Sequence, residues 1–443
     1  MRHAYSGPGS SRGRSWRICK NDISLKKYVA LSMIRKDLFK PPVLRIESDR
    51  DRERHATWLE LFYDLVFVAA IAQLASNLSK DYSVIGLLRF AALFFPVWMA
   101  WAGHTIYLTR FDSDDLGHTL LTMAQMIAVA ALAINIPGAL STTSAGFALS
   151  YFIVRVILIA QYYRAGRQIP KVRPMTNRYL AGFTPAALLW LISVFVPNPW
   201  RFYLWGLAMF LEFLTPGLIG KYQLEFPPDP THFPERFGLF TIIVLGETVV
   251  AIIINIGEQG LSATSAAVGI MGLVIAFSIW WGYFRGSWVE AGQERMQKVL
   301  EELLQADKTN GGDPTRQSLR LFLGGLQFFL FNMNIVVTTV GIEHGAHLSP
   351  GESLPPVETW ILCGSLAFCW LGLNAMTTAL PGIKSSPEIR RFMMPHHITT
   401  ILMIGTGALS YVLSGIAIVG LLTLLSIAQV LLTMREPPQY IFK

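Results

Sequence analysis

Residues 58–78 read WLELFYDLVFVAAIAQLASNL, a stretch long and apolar enough to cross a lipid bilayer as one α-helix. A helix of about 20 predominantly apolar residues is the usual requirement for such a crossing. Glu60 and Asp64 nevertheless lie within its first two turns, where a carboxylate in hydrocarbon is energetically costly. The stretch therefore predicts a membrane-spanning helix and raises the question of what the two carboxylates do there.

The composition of the whole chain indicates that this helix is one of many. Of the 443 residues, 52% are hydrophobic and 15% are charged, and the mean hydropathy is +0.42. Because soluble domains carry about 25% charged residues, a polytopic membrane protein is the expected class. Apolar windows predict twelve spans, at 58–78, 84–108, 118–137, 141–163, 178–197, 201–220, 237–257, 264–285, 319–342, 357–379, 394–413 and 416–434.

The distribution of positive charge predicts the orientation of these spans. If the N-terminus is cytoplasmic, 33 of the 37 Lys and Arg residues lie on the cytoplasmic side. Only Lys80 and Arg201 lie outside, and Arg89 and Arg155 lie within spans. This asymmetry follows the positive-inside rule. We therefore expect a multi-pass integral membrane protein with both termini in the cytoplasm, in a membrane that the sequence does not specify.

Composition divides the chain into four regions. Residues 1–54 contain 14 Lys and Arg against 6 Asp and Glu and are expected to form a disordered basic cytoplasmic tail. Residues 55–285 contain the first eight transmembrane helices, 286–318 form a cytoplasmic loop, and 319–443 contain the last four helices and a short tail. Helical spacing of apolar residues in the loop predicts an amphipathic helix at 287–308, packed on the membrane, on a partner or on the protein's own inner face.

Two local matches favour an internal duplication. The Leu-Phe pair at 61–62 recurs at 239–240, and the tryptophans within 98–101 have counterparts at 280–281. Since six crossings return the chain to the same side, a duplicated half would give parallel repeats. The predicted fold class is an all-α membrane helical bundle of about twelve transmembrane helices, with two parallel six-helix repeats as a further hypothesis.

Ionisable residues are predicted to gather in the cytoplasmic half of the membrane. At about 1.5 Å of rise per residue, the depths along the spans place six residues there. They are Glu60, Asp64, His104, Arg155, Glu212 and Glu247. Arg89 lies nearer the outer side, and Arg236 shares a helix face with Glu247. Gly246, beside Glu247, is expected to let another helix approach closely.

Three hypotheses account for these charges. In the first, Arg155 neutralises Asp64 or Glu212 and the charges hold the helices together. In the second, four carboxylates exceed the available arginine, and the surplus forms a proton relay or cation site with Glu247 or Asp64 carrying the proton. The third, a membrane-embedded enzyme, lacks support because the sequence contains no HExxH, Walker loop or CxxC motif, and its GxSxG match, GSSRG at 9–13, lies in the basic tail and not between a strand and a helix.

The sequence predicts neither a cofactor nor a metal site, and the chain is expected not to be an enzyme. Glu343, His344 and His347 lie in an outer loop, but two loop histidines rarely suffice to hold a metal ion. The expected partners are the lipid bilayer and, if the protein transports, a small ion or solute. No nucleic-acid partner is expected, and the sequence sets no oligomeric state.

Four stretches resemble the bacterial low temperature requirement protein A (LtrA) family. They are RHATWLELFYDLVFVAAIAQL (54–74), RFDSDDLGH (110–118), RYLAGFTPAALLWL (178–191) and HFPERFGLFTIIVLGET (232–248). The resemblance is strongest over residues 54–285 and thins beyond them, although VGIEHG (340–345) fits. It implies a polytopic membrane protein whose family is named for a growth phenotype, and it implies no substrate.

Two functional hypotheses follow. The first is a proton- or cation-coupled transporter or channel; the alternative is a non-transporting membrane protein involved in stress or low-temperature adaptation through cytoplasmic partners. For the first, the expected intramembrane site comprises Glu60, Asp64, Arg155, Glu212 and Glu247, with His104, Arg89 and Arg236 in secondary positions.

Overall fold

Twelve α-helices account for nearly all of the described chain. The computed structural model describes residues 40–44, 56–112, 115–219, 222, 225–229, 232–259, 262–285, 314–378 and 387–434. In chain order the helices are α1 Trp58–Ser79, α2 Val84–Arg110, α3 Leu116–Asn135, α4 Ser144–Gln168, α5 Arg173–Phe195, α6 Trp200–Ile219, α7 His232–Gln259, α8 Ala263–Phe284, α9 Pro314–Ala346, α10 Pro356–Thr378, α11 Pro387–Thr406 and α12 Gly415–Thr433. Each predicted span corresponds to one helix, so the prediction of an all-α bundle is confirmed.

Ten of these helices are long and apolar enough to cross a membrane. The exceptions in the described chain are α6 and α11. Arg201 and Glu212 lower the hydropathy of α6, and α11 begins with a charged segment that contains Glu388, Arg390 and Arg391. All twelve predicted helices therefore exist, while a membrane crossing by α6 and α11 stays a prediction.

Short polar side chains set where the helices that carry the candidate site begin. At the start of α1, the Thr57 hydroxyl accepts a hydrogen bond of 3.3 Å from the backbone N–H of Glu60. At the start of α3, Asp115 accepts a hydrogen bond of 3.1 Å from the N–H of Gly117. Such caps satisfy N–H groups that the first helical turn leaves without partners. The cap at Thr57 fixes Glu60 in the first turn of α1.

Helix α1 packs against α2, α3, α7 and α9. We term the side on which α1 begins and α2 ends the near side, and the opposite side the far side. The buried apolar residues form one extended core through the bundle and a smaller second core. The second core lies around the end of α2, where Tyr107, Phe111 and Tyr162 pack together.

Five helix pairings recur in the two halves of the chain, whereas the extensive contact of α8 with α12 has no counterpart of similar extent between α2 and α6 among the described residues. In the first half, α1 packs on α2 and α3, α3 on α4, α4 on α5, and α5 on α6; the same pairings recur six helices later among α7–α12. This recurrence agrees with the hypothesis of two parallel six-helix repeats, which stays a prediction.

Part of the predicted tail lies against the near side of the bundle. Strand β1, Val43–Leu44, pairs antiparallel with strand β2, Phe111–Asp112, directly after α2. Leu44 is buried, and the Lys40 carbonyl accepts a hydrogen bond of 2.7 Å from Arg164. Residues 40–44 thus have defined structure within the segment that we expected to be disordered. The rest of that tail and the amphipathic helix predicted at 287–308 lie outside the described residues.

Candidate functional site

Two carboxylates on α1 face two basic residues on α7. Glu60 Oε2 lies 2.9 Å from His232 Nε2, and Asp64 Oδ1 accepts a hydrogen bond of 2.7 Å from Arg236 Nη2. The members of each helix are four residues apart and so share a face. Both contacts join residues 172 positions apart, which shows that α1 and α7 run in the same direction. We term these four side chains the near-side cluster.

Asp64 is held by two helices at once. Its Oδ1 also accepts a hydrogen bond of 2.8 Å from the indole N–H of Trp101 on α2. Its Oδ2 has no hydrogen-bond partner among the described residues. Arg236 Nη1 lies 3.8 Å from Glu60 Oε2, which is too long for a hydrogen bond but close enough for ionic attraction. Asp64, His232 and Arg236 are each 0% exposed, so the cluster is shielded from solvent.

His232 has one ring nitrogen engaged and one that can take up a proton. Nε2 faces Glu60, whereas Nδ1 is buried and has no hydrogen-bond partner within the described chain. If Glu60 is ionised, Nε2 must carry a hydrogen, because a carboxylate oxygen can only accept. A neutral His232 then keeps its lone pair on Nδ1, where a further proton can bind.

The net charge of the near-side cluster depends on that proton. With Glu60 and Asp64 ionised, Arg236 charged and His232 neutral, the cluster carries one negative charge. One added proton brings the net charge to zero, which a low-dielectric interior favours because isolated buried charge is costly. The near-side cluster is therefore chemically suited to bind and release one proton.

A second buried ion pair joins α4 to α6. Arg155 Nη2 lies 2.5 Å from Glu212 Oε2, and the Tyr151 hydroxyl donates to the same oxygen at 2.7 Å. Arg155 also donates to the Tyr151 oxygen. One arginine and one carboxylate make this unit neutral. Of the two partners predicted for Arg155, the structure selects Glu212 and excludes Asp64, which pairs with Arg236.

Aromatic side chains of α4 and α5 enclose this second pair. The Arg155 guanidinium carbon lies 4.9 Å from the centre of the Tyr151 ring and 5.7 Å from that of Phe183. The Tyr151 ring in turn packs on Trp190 at 4.4 Å between centroids. A neutral, fully paired unit in aromatic surroundings is typical of a contact that holds helices together.

A layer of uncharged polar side chains adjoins the near-side cluster. Tyr63, next to Asp64 in the chain, accepts a hydrogen bond of 3.3 Å from Gln125. Its ring packs on His104 at 4.3 Å, and His104 Nδ1 lies 3.2 Å from Gln161 Oε1. His104 Nε2, Gln125 Oε1 and Gln161 Nε2 are buried without hydrogen-bond partners in the described part of the chain. Such unsatisfied atoms are rare in protein interiors and mark this layer as a place where water or a proton can be held.

Glu247 and Arg89 do not join the near-side cluster. Glu247 is half-buried on α7, about three turns beyond Arg236, and makes no hydrogen bond or ion pair with the described residues. Gly246 is exposed, and no atom lies within 4 Å of the place that a Cβ would take, so the prediction that another helix approaches there is wrong. Arg89 is exposed at the far side and pairs with Asp81 at 3.1 Å.

Glu343 and His344 lie in the last turn of α9 and not in the loop expected from the sequence, and His347 directly follows the helix. His344 lies 2.8 Å from Glu358 and 3.0 Å from the backbone carbonyl oxygen of Ser79, while His347 lies 2.8 Å from Asn255. Within the described ranges, no group of three His, Cys, Asp or Glu residues is arranged to hold a metal ion.

Sequence reasoning missed His232, Trp101 and Tyr151 and gave Arg236 only a secondary position. A signal for two of them was present, because His232 and Arg236 are four residues apart, as are Glu60 and Asp64. Helical spacing shows which residues share a face. It does not show which helix that face meets, and the pairing of α1 with α7 supplied the missing step.

Comparisons with known proteins cover most of the chain. The profile of the family described as "Bacterial low temperature requirement A protein (LtrA)" matches residues 55–433, well beyond residue 285, where the resemblance of the motifs thins. An uncharacterized protein of Rhizobium meliloti (strain 1021) is 30% identical over 272 residues. That match covers 58% of this chain and 64% of the relative, so the chain spans less than two thirds of the relative's length. No solved structure matches.

Proposed function

The chain belongs to the bacterial low temperature requirement A (LtrA) family. We propose that it moves protons across a membrane, either protons alone or protons together with a small ion or solute. It is a multi-span helical bundle, with ten helices long and apolar enough to cross a membrane. The family name describes a phenotype and the relative is uncharacterized, so the near-side cluster carries the proposal.

The proposal of proton movement is best supported by the contact between His232 and Glu60, which lies beside the Asp64–Arg236 ion pair. A buried pair that only holds helices together is electrically neutral, as Arg155 with Glu212 is. The near-side cluster instead has one carboxylate more than it has permanent cations, and a titratable base touches that carboxylate. Carboxylates and histidines in this situation within membranes commonly serve proton transfer.

Each member of the near-side cluster has a part in this proposal. Glu60 and His232 bind the proton between them, while Asp64 and Arg236 set the charge around it. Trp101 positions Asp64 through its indole N–H. Arg155 and Glu212 are structural, and Glu247 lies outside the proton site. The proposed site is therefore narrower than the one expected from the sequence.

Proton flux into liposomes tests the proposal. The purified protein would be reconstituted with a pH-sensitive dye inside, and K⁺, Na⁺ and Cl⁻ gradients would be imposed in turn. We expect wild type to acidify or alkalinise the lumen under at least one gradient, and Glu60→Gln and His232→Gln to reduce this to the rate of empty liposomes. Glu247→Gln is the matched control, because it makes the same chemical change on a half-buried acid outside the near-side cluster.

Each outcome has a distinct meaning. Loss of flux in Glu60→Gln and His232→Gln with flux retained in Glu247→Gln would support the proton site. Equal loss in all three variants would contradict the separation of Glu247 from the site. Absence of flux under every gradient, from wild-type protein with a cooperative unfolding transition, would overturn transport and favour a non-transporting role through residues 1–54 and 286–318.

A further inference from the structure

A line of buried polar side chains follows α7 and α9 toward the far side. On α7, Thr241, Thr248 and Asn255 are each at most 5% exposed and lie seven residues apart. Residues at that spacing lie along the seam that a helix presents to a parallel neighbour. The corresponding side chains are Asn332 and Thr339 on α9 and His347 directly after it. We term these six side chains the polar seam.

Two contacts between side chains define the register of the polar seam. Thr248 Oγ1 lies 2.8 Å from Thr339 Oγ1, and Asn255 Nδ2 lies 2.8 Å from His347 Nε2. The partners are 91 and 92 positions apart, so α7 and α9 run parallel. The same register sets Thr241 at the level of Asn332. Layers seven residues apart are separated by about 10 Å, so three layers extend over about 20 Å, most of a hydrocarbon core about 30 Å thick.

The threonine layer has fewer protons than hydrogen-bonding contacts. Thr248 Oγ1 lies 3.2 Å from the Val244 carbonyl oxygen, and Thr339 Oγ1 lies 2.9 Å from that of Ile335. The contact between the two hydroxyls is a third, yet two hydroxyls carry only two protons. One of the three contacts therefore lacks a hydrogen at any moment. Either hydroxyl can rotate and place its hydrogen in that contact. This arrangement allows a hydroxyl proton to change partners without breaking the helix contact.

Both ends of the polar seam meet polar surroundings. Thr241 follows Arg236 by five residues, about 8 Å along α7, which brings the seam to the near-side cluster. His347 is exposed at the far side, where α9 ends and the neighbouring His344 contacts Glu358. Asn332 Oδ1 is buried and has no hydrogen-bond partner in the described chain, which leaves an acceptor for a small donor such as water.

We propose that the polar seam is the route by which protons pass between the near-side cluster and the far side. Water would carry the proton between layers about 10 Å apart, and within the threonine layer each oxygen releases one proton as it receives another, so no group is consumed. Threonines that only satisfy their own backbone require no partner on the facing helix, whereas here two of the three layers are joined by contacts between polar side chains. The inference rests on the proposed function, because it assigns the route that the transported proton takes.

Cysteine accessibility tests the route independently of transport. In full-length protein with Cys19, Cys363 and Cys369 replaced by serine, Thr248→Cys and Thr339→Cys would be exposed to Ag⁺ in proteoliposomes. Later labelling of the denatured protein with a fluorescent maleimide would show which thiols had already reacted. We expect both seam thiols to react. Val129→Cys on α3 is the control, because that site is 0% exposed and lies in the apolar core at a comparable depth.

Flux measurements separate failure of the route from failure of the proposed function. Thr248→Val with Thr339→Val removes both hydroxyls and nearly preserves shape, and we expect flux to fall to the rate of empty liposomes. Wild-type flux in this double variant, together with loss in Glu60→Gln, would overturn the route and leave the proton site standing. Seam thiols as unreactive as Val129→Cys would show the seam to be dry and overturn the route whatever the flux.

Discussion

At the residue scale, the two buried groups of charged side chains in this bundle differ in the balance of positive and negative charge. Arg155 and Glu212 neutralise one another, and Tyr151 hydrogen-bonds both. In the near-side cluster, Glu60 and Asp64 share a single permanent cation and a histidine. The same residue types on similar helices therefore give a neutral, paired contact in one place and the proposed proton site in the other.

Removing one member of the Arg155–Glu212 pair should lower the free energy of unfolding more than removing both members does. Glu212→Ala leaves the Arg155 charge buried without its carboxylate, and breaking such a pair costs about 3–5 kcal/mol. Arg155→Met combined with Glu212→Leu removes both charges and should recover most of that loss. The measurement is the free energy of unfolding in detergent micelles for wild type, both single variants and the double variant. Additive losses in the double variant would show that the two side chains do not act as a pair.

The sequence could predict this pair only in part. It placed Arg155 and Glu212 at similar depths, and their opposite charges made them candidates for pairing. It could not choose between Glu212 and Asp64, because that choice depends on which helices touch. Glu247 shows the converse: its spacing from Arg236 is right for a shared face, but the α1 carboxylates that meet Arg236 do not reach three turns further along α7.

At the element scale, close helix packing depends on particular small residues. Gly182 on α5 faces Thr215 on α6, and a Cβ added at Gly182 would overlap the threonine Oγ1 and lie 2.6 Å from its Cγ2. Gly182 belongs to the RYLAGFTPAALLWL stretch, whose Trp190 packs on Tyr151 beside the Arg155–Glu212 pair. The glycine therefore allows α5 and α6 to close around that pair.

Gly182→Ala should push α5 and α6 apart. Overpacking of this kind typically costs about 1–3 kcal/mol, measurable as a lower midpoint of unfolding in micelles. Adding Thr215→Ala removes the two overlapping atoms and should restore most of the stability. Gly206→Ala on α6 is the control, since no atom lies within 4 Å of its Cβ position. If Thr215→Ala fails to rescue Gly182→Ala, the contact between these two positions is not the source of the loss.

Helix positions were predictable because apolar length is a local property of the chain. The predicted span at 58–78 is Trp58–Ser79, and the one at 416–434 is Gly415–Thr433. The largest shifts occur where charged residues extend a helix beyond its apolar part, as in α11, which begins at Pro387 where the span was predicted from 394. Strand β1 was not predicted, because two residues carry no periodicity and their pairing partners are 69 and 67 positions away.

At the scale of the whole molecule, the parallel packing of α1, α7 and α9 organises both proposals. The near-side cluster forms where α1 meets α7, and the polar seam forms where α7 meets α9. All three helices begin on the near side, so one helix, α7, can present Arg236 to α1 and Thr248 to α9 at successive depths. Helices α1 and α7 also open the two proposed six-helix repeats, which would place the proton site at the junction of the repeats.

The orientation of the bundle yields the last prediction. Twelve crossings return the chain to its starting side, and the excess of Lys and Arg predicts that side to be cytoplasmic. In a cysteine-free background, Ser141→Cys and Ser349→Cys lie in exposed connections on the far side, and Lys171→Cys lies in one on the near side. A membrane-impermeant maleimide added to intact cells should label the first two and should label the third only after permeabilisation. The reverse pattern would invert the molecule and place the near-side cluster in the outer half of the membrane. Labelling of Ser141→Cys and Ser349→Cys from opposite sides would instead mean that an odd number of helices crosses the membrane between them, a result that would contradict the parallel packing of α1, α7 and α9.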